Sequence, residues 1–300
     1  MAGKLYVVAT PIGNGGDITE RAKRVLAETD IVAAEDTRTT QTLLSMLGIR
    51  NKMVSNHKFN EKRQVDYLLC ELLLGKNVAI VSDAGTPCIS DPGHVVVRAA
   101  AANGIEVISV CGASSVTAAL SVSGFSFVSF AFYGFFPRES KEIRQALHRA
   151  KHGTIPVSVY FESPRRILKT LQIIASELPA SEICLCNDLT KLYERIYRGA
   201  PQQVLDELGS NPSAEKGEYT LVLHIDEAPQ AAVPGAQASR ESLLVDHIVK
   251  HGGSMKSAVQ ALQEQYKGQI PRKEFYAAAL HLKELLPDLF SLEPAGGEPC

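Results

Sequence analysis

No two cysteines in this 300-residue chain are spaced Cys-x-x-Cys, and the six present (70, 88, 111, 184, 186 and 300) lie within apolar runs or at the terminus. That pattern argues against a zinc site or a disulfide framework. Charge excess is also missing. The 31 basic and 33 acidic residues leave −2, so any contact with nucleic acid must come from a local basic patch. No apolar run reaches the ~18 to 20 residues that a membrane span requires. Met1-Ala2-Gly3-Lys4 leads straight into a strand-like run and not into a secretory leader. The expectation is a soluble, cytoplasmic protein without a membrane partner. With 45% hydrophobic and 21% charged residues, there is apolar material for one large core or two modest ones.

Through the first half, β-rich apolar runs (Leu5 to Ala9, Ile31 to Ala34, Val78 to Ser82, Glu106 to Val110) alternate with amphipathic segments. That order predicts βα units and a mostly parallel sheet. Helix starts are expected at Asp17-Ile18-Thr19-Glu20, which resembles a capping box, and at Ser90-Asp91-Pro92 and Ser163-Pro164, where a capping oxygen precedes proline. After Gly124 an aromatic run, Phe127 to Phe136, opens a second α/β pattern with strands near Ser158 to Glu162, Ile183 to Cys186, Arg195 to Arg198 and Tyr219 to Ile225. The expected domains are therefore 1–118 and 119–228, both α/β, the second sheet mixed. A proline- and alanine-rich linker follows at 229–239, then a helical module at 240–290 with helices Leu243 to Lys250, Ser254 to Tyr266 and Arg272 to Leu285. The last residues, Glu293 to Cys300, read as a frayed end.

Polar motifs collect at the carboxyl ends of the strands, where ligands bind in open α/β sheets. The first loop, Thr10 to Asp17, invites comparison with a dinucleotide fingerprint, but Ile18 stands where the third glycine belongs and Pro11 stiffens the turn. A tight turn that needs glycine for its backbone angles accounts for it equally well. Glu35-Asp36-Thr37-Arg38 brings two carboxylates, a hydroxyl and a guanidinium to one strand end; the competing reading is a loop in which Arg38 simply pairs with a carboxylate. Ser82 to Gly93 is dense in small residues and proline, a backbone-rich loop suited to gripping a polar ligand. Cys111-Gly112-Ala113-Ser114-Ser115 opens a helix whose hydroxyls and amides could hold a carboxylate, or are an ordinary cap. Glu162 to Arg166 and Asn187 to Lys191 add charge to two further strand ends, either toward a substrate or as surface ion pairs.

Taken together, ATPIGN at 9–14, AEDTR at 34–38, SDAGTP at 82–87, ISDPG at 89–93, ESPRR at 162–166 and LTK at 189–191 resemble the bacterial small-subunit ribosomal RNA methyltransferase I family. That family is of the tetrapyrrole-methylase type. The resemblance implies a two-domain α/β homodimer that binds S-adenosylmethionine between its domains and 2'-O-methylates a cytidine in the decoding region of 16S rRNA, free or in the small ribosomal subunit. It also implies that Asp83, Gly85, Thr86, Pro87, Ser114, Ser115 and Gly217 hold the cofactor. Candidates for the chemistry are Glu35 or Asp36 as the group accepting or orienting the hydroxyl proton, with Arg38 and Lys191 in support; Arg166 is a candidate RNA contact, and no metal is implied. The chain departs from the family pattern at Gly15, at Cys111 to Ser115, at Arg165 and at Asn187-Asp188.

Between 240 and 283, seven basic residues face four acidic ones, a local +3. Helix, glycine turn, helix, loop and helix suit a helix-turn-helix-like RNA-binding module, with Lys256, Arg272 and Lys273 as contacts; a small bundle that caps the enzyme or mediates dimerisation is the other reading. Two different functions compete with the main one: methylation of a tetrapyrrole precursor, against which the basic module argues, and non-catalytic RNA binding, against which the polar strand ends argue.

Overall fold

Strands that run the same way can be joined only through a crossover, and a helix fills that crossover. The first half of this chain is built on that rule. The computed structural model describes residues 2–225, 239–267 and 270–285. The chain divides into two compact units, Met1–Glu227 and Ala228–Cys300.

In the first unit, β1 (Leu5–Val8), β2 (Ile31–Ala34), β3 (Met53–Ser55), β4 (Val78–Val81) and β5 (Val107–Val110) form a sheet of order β3-β2-β4-β1-β5. All its pairings are parallel, with Leu5 level with both Val78 and Val107. β2 and β4 are buried at every residue, which is why they read as unbroken apolar runs. Val32 and Ala34 pack under α1 (Glu20–Glu28) and α2 (Thr37–Met46), whereas Ile31 and Ala33 face α3 (Glu61–Leu73) and α4 (His94–Ala102). Only β3 escaped the sequence reading, being three residues long.

The second sheet comprises β6 (Phe130–Phe135), β7 (Val157–Glu162), β8 (Glu182–Asn187), β9 (Arg195–Gly199) and β10 (Tyr219–His224), in the order β6-β7-β10-β8-β9. It is mixed: β6 and β7 are parallel, the other neighbours antiparallel. Helices α6 (Ser140–Lys151), α7 (Pro164–Glu177) and α8 (Pro201–Gly209) cover one face. Helix α5 (Ser115–Ser123) follows a strand of the first sheet yet lays Val116, Ala119 and Leu120 on the other face of the second, against Val159, Cys184 and Val222. One helix thus belongs to both layers and fixes the gap between them.

Two helix starts differ from expectation. Glycines 15 and 16 allow a 3-10 turn over Gly15–Asp17, so Asp17 ends that turn and Thr19 caps α1 by accepting from the Ala22 amide at 3.1 Å. Neither Ser90 nor Asp91 caps α4. The helix opens after Gly93, which has φ +126°, and its free amides go to the buried Glu61 carboxylate, from Gly93 N at 2.6 Å and Val95 N at 3.3 Å. Pro164 does occupy the first turn of α7, but the Ser163 hydroxyl makes no capping bond and accepts instead from Arg166 Nε at 3.2 Å.

The second unit packs α9 (Arg240–His251), α10 (Met255–Gln265) and α11 (Arg272–Leu285) around Leu244, Ala258, Leu262, Phe275 and Leu282. Ser239 and Ser254 cap the first two by accepting amides three residues on. The expected linker from 229 to 238, Gly268, the 286–290 end of the module and the Glu293 to Cys300 segment lie outside the described residues.

Candidate active site

The loops that leave β1, β4 and β5 meet at the carboxyl edge of the parallel sheet. Thr10 and Gly85 exchange backbone hydrogen bonds of 2.9 and 3.1 Å, and the buried Thr10 hydroxyl donates to the Ser82 carbonyl at 3.1 Å. Thr86 Oγ1 donates to the Ala113 carbonyl at 3.3 Å. The β1 loop also reaches the second sheet: Asn14 N donates to Thr190 Oγ1 at 3.1 Å, and a Cβ on Gly13 would collide with the Lys191 side chain. Glycine is required there because two layers touch backbone to side chain.

These loops and the facing ends of β6, β7 and β10 enclose a cavity of about 310 Å³, a size that suits a small-molecule ligand. Gly85, Thr86, Ser114 and Ser115 present backbone and hydroxyl groups; Ile12, Val116, Phe135, Phe161 and Leu189 supply apolar walls. Ser114 begins α5 in an extended conformation and its side chain makes no capping bond, which leaves the first-turn amides of that helix available to an anion such as a carboxylate.

Electrostatics define what the cavity can take. Its lining includes Asp91, Glu162 and Glu218 and no lysine, arginine or histidine, a donor set that suits a ligand carrying positive charge and repels phosphate. Glu162 is fully engaged. It accepts from Ser163 N at 2.6 Å, Arg166 Nε at 2.9 Å and Thr170 Oγ1 at 2.7 Å. Glu218 receives Lys191 Nζ at 2.9 Å at the rim. Asp91 is different. Burial pushes its carboxyl up to about 6, the charges of Glu35 and Asp83 add to the rise, and the Ser82 hydroxyl beside it opposes it. No cation is among the groups acting on it. A half-buried carboxyl that titrates near neutrality inside a cleft is suited to moving a proton.

The structure brings Gly85, Thr86, Ser114 and Ser115 together on the cavity wall. Asp83 lies just outside, accepting the Asp36 amide at 3.1 Å, and Pro87 is buried behind the same loop. Gly217 turns with φ +82° immediately before Glu218, where a Cβ would run into the Asp188 carboxylate. The acidic pair of the second strand does not line the cavity. Asp36 is held by Arg38 through Nε at 3.1 Å and Nη2 at 2.7 Å, which lowers its carboxyl to about 2, the internally satisfied arrangement weighed from sequence. Glu35 accepts the Asp83 amide at 3.4 Å, and burial raises its carboxyl. Lys191 bonds Asp188 and Glu218; burial works against its charge, yet those two bonds win and hold its pKa above the ordinary lysine value, so it stays a cation. Arg166 turns inward to Glu162 and to the carbonyls of Phe136 at 3.0 Å and Pro137 at 3.2 Å. In the second unit Lys256 and Lys273 are exposed, and Arg272 Nε donates to Gln263 at 3.1 Å.

Sequence reasoning missed Asp91 because its place before proline reads as a helix cap. It also missed Glu218-Tyr219-Thr220, whose only signal is the start of a strand. Among the described residues no three His, Cys, Asp or Glu side chains gather as a metal site.

Comparison with known proteins adds independent findings. The family model described as tetrapyrrole (corrin/porphyrin) methylases matches residues 4–204. The ribosomal RNA small subunit methyltransferase I of Halalkalibacterium halodurans is 38% identical over 278 residues, 91% of this chain and 93% of that protein. The protein of the same name from Thermotoga maritima is 42% identical over 221 residues, 74% of this chain and 98% of its own length. Among solved structures, the uroporphyrin-III C-methyltransferase of Thermus thermophilus complexed with S-adenyl homocysteine aligns with a TM-score of 0.51 at 17% identity, covering 74% of this chain and 97% of that one. At that identity the likeness speaks for the fold.

Proposed function

The chain belongs to the ribosomal RNA small subunit methyltransferase I family of tetrapyrrole methylases, and from that premise we propose that it uses S-adenosylmethionine to methylate small-subunit rRNA at the 2'-hydroxyl of a cytidine. The observation that carries the reading is the cavity: backbone-rich loops, an open helix start and the Asp91 carboxyl, with Glu162 and Glu218 already held by Arg166 and Lys191. These residues fit the cofactor, whose sulfonium and amino group are cationic and whose methionine carboxylate suits the first turn of α5. Bound there, it supplies an electrophilic methyl group. The absence of phosphate-binding glycines in the first loop is then expected, since this cofactor has no phosphate.

The chain's own contribution is alignment and proton handling. Gly85, Thr86, Ser114 and Ser115 fix the donor, and the apolar walls exclude water, so that the ribose oxygen is presented in line. A ribose hydroxyl is a weak nucleophile, and Asp91 is the group placed to orient it and hold its proton. Asp36, locked on Arg38 and ionised far below neutrality, has little proton affinity to offer. Glu35 and Asp83 act on Asp91 by raising its proton affinity. The test is mass spectrometry of 16S rRNA fragments after reaction with labelled cofactor. Label on a cytidine ribose is the expected result; label on a base, or on a porphyrinoid and not on RNA, overturns the reading.

The second unit has an independent test. Its exposed Lys256 and Lys273 and the local charge of +3 support a role in holding RNA. Deleting residues 236–300 is expected to leave cofactor affinity by calorimetry unchanged and to weaken RNA binding; unchanged RNA affinity would make the unit a structural cap or dimer element. We also take the protein to be cytoplasmic and homodimeric. No described helix is long and apolar enough to cross a membrane, and the edge strand β6 exposes Phe130, Tyr133 and Phe135.

A further inference from the structure

Between β3 and α3, at the same carboxyl edge, residues 57–63 read His-Lys-Phe-Asn-Glu-Lys-Arg, and the chemistry described so far uses none of them. Phe59 is 95% exposed. A single exposed apolar residue needs no explanation, but this one is held out on a braced loop. Asn60 Oδ1 accepts the His57 amide at 2.8 Å, Asn60 Nδ2 donates to the Ser55 carbonyl at 3.1 Å, and the Phe59 amide donates to His57 Nδ1 at 3.2 Å. Glu61, 5% exposed, ties the loop to Gly93 and Val95. Gly93 closes the segment that carries Asp91, so the platform and the cavity wall are one piece.

Charge around the ring has one sign. Lys58, Lys62 and Arg63 are exposed, with no ion pair to any of them among the described residues, while the acidic member, Glu61, is turned inward. Lys62 and Arg63 sit in the first turn of α3, where the helix dipole disfavours cations. A rigid, solvated ring flanked by unpaired cations that the helix itself does not favour has the chemistry of a single-strand nucleic-acid surface: a stacking plane plus phosphate contacts.

We propose that the 57–63 loop is an RNA-docking platform, on which Phe59 stacks an unpaired base next to the reacting nucleotide while Lys58, Lys62 and Arg63 hold the flanking phosphates. The proposal rests on the RNA methylation reading and gives that substrate its required form, a locally unpaired strand. Docking beside the Gly93 segment brings the ribose to the mouth where Asp91 waits.

The probe is a fluorescein-labelled, mixed-sequence single-stranded RNA of about 16 nucleotides, titrated by anisotropy with the full-length protein at several salt concentrations. F59A and F59L are both expected to weaken binding about tenfold without changing its salt dependence, and F59W to restore it. Replacing Lys58, Lys62 and Arg63 together by glutamine should reduce the log–log salt slope by about 2. All variants should bind S-adenosylmethionine as the parent does. Full RNA affinity in F59A, or full affinity retained by F59L, overturns the stacking platform while leaving methylation standing. So does a loss of self-association in F59A at unchanged RNA affinity, which would assign the ring to a contact between copies. Failure of the parent protein itself to methylate or bind RNA would instead sink the reading on which the proposal rests.

Discussion

Asp91→Asn is expected to lower methyl transfer at saturating cofactor by roughly 10²- to 10⁴-fold, the usual range for removing a positioned proton acceptor. The amide keeps the shape of the carboxyl and cannot take a proton. The pH profile separates this from a structural effect. With the carboxyl raised to about 6, the parent rate should climb as pH rises through that value and level off above it, and the variant should lose that limb. Stability should move the opposite way. A folded-state value above the unfolded one means that the native protein favours the protonated form, so the ionised carboxylate costs stability as pH rises from about 4 through 6. The asparagine variant should therefore melt above the parent at pH 8, with the advantage shrinking toward pH 4. A parent-like rate with an unaltered profile would remove Asp91 from the mechanism and return attention to Glu35.

Arg166→Ala should cost about 3 to 5 kcal/mol of unfolding free energy, since it strips the partner from a carboxylate whose side chain is wholly buried. The guanidinium does more than neutralise Glu162. It also donates to the carbonyls of Phe136 and Pro137, so it ties the end of β6 to the start of α7. Lysine is a point charge without the planar fork and should restore little of the loss. Urea unfolding measures the difference, and converting Glu162 to Gln in the same chain should recover part of it by removing the stranded charge. If Arg166→Ala instead kept its stability and lost RNA affinity alone, the residue would be the substrate contact that its motif first suggested.

Much of this fold is legible in the sequence. Runs such as Val78 to Val81 and Ile31 to Ala34 identify doubly covered parallel strands because both faces must be apolar, and the loops after them are marked by residues that cannot continue a strand. Those marks and the motifs around them bring Gly85, Thr86, Ser114 and Ser115 to one edge, and the structure lines a cavity with them. What the motifs do not disclose is which of their charged side chains reach the cavity: Glu35, Asp36, Arg38 and Arg166 do not line it. In Glu35 to Arg38 the residues with the right chemistry satisfy one another through a local fork, an outcome decided by side-chain direction.

The sequence by itself determined the layers, the edge at which the loops gather and the family to which the motifs belong, because these depend on local periodicity and on backbone-restricting residues. Tertiary structure alone decided which carboxylates face the cavity and which of them stays without a cation. Cys88 and Ser90 both take φ near +69°, and Glu61, thirty residues upstream, supplies the α4 cap that Asp91 was expected to provide. Freed from capping, Asp91 acquires its proton affinity chiefly from burial, and the charges of Glu35 and Asp83 add to it. Burial and long-range charge are properties of packing, and no local pattern encodes them.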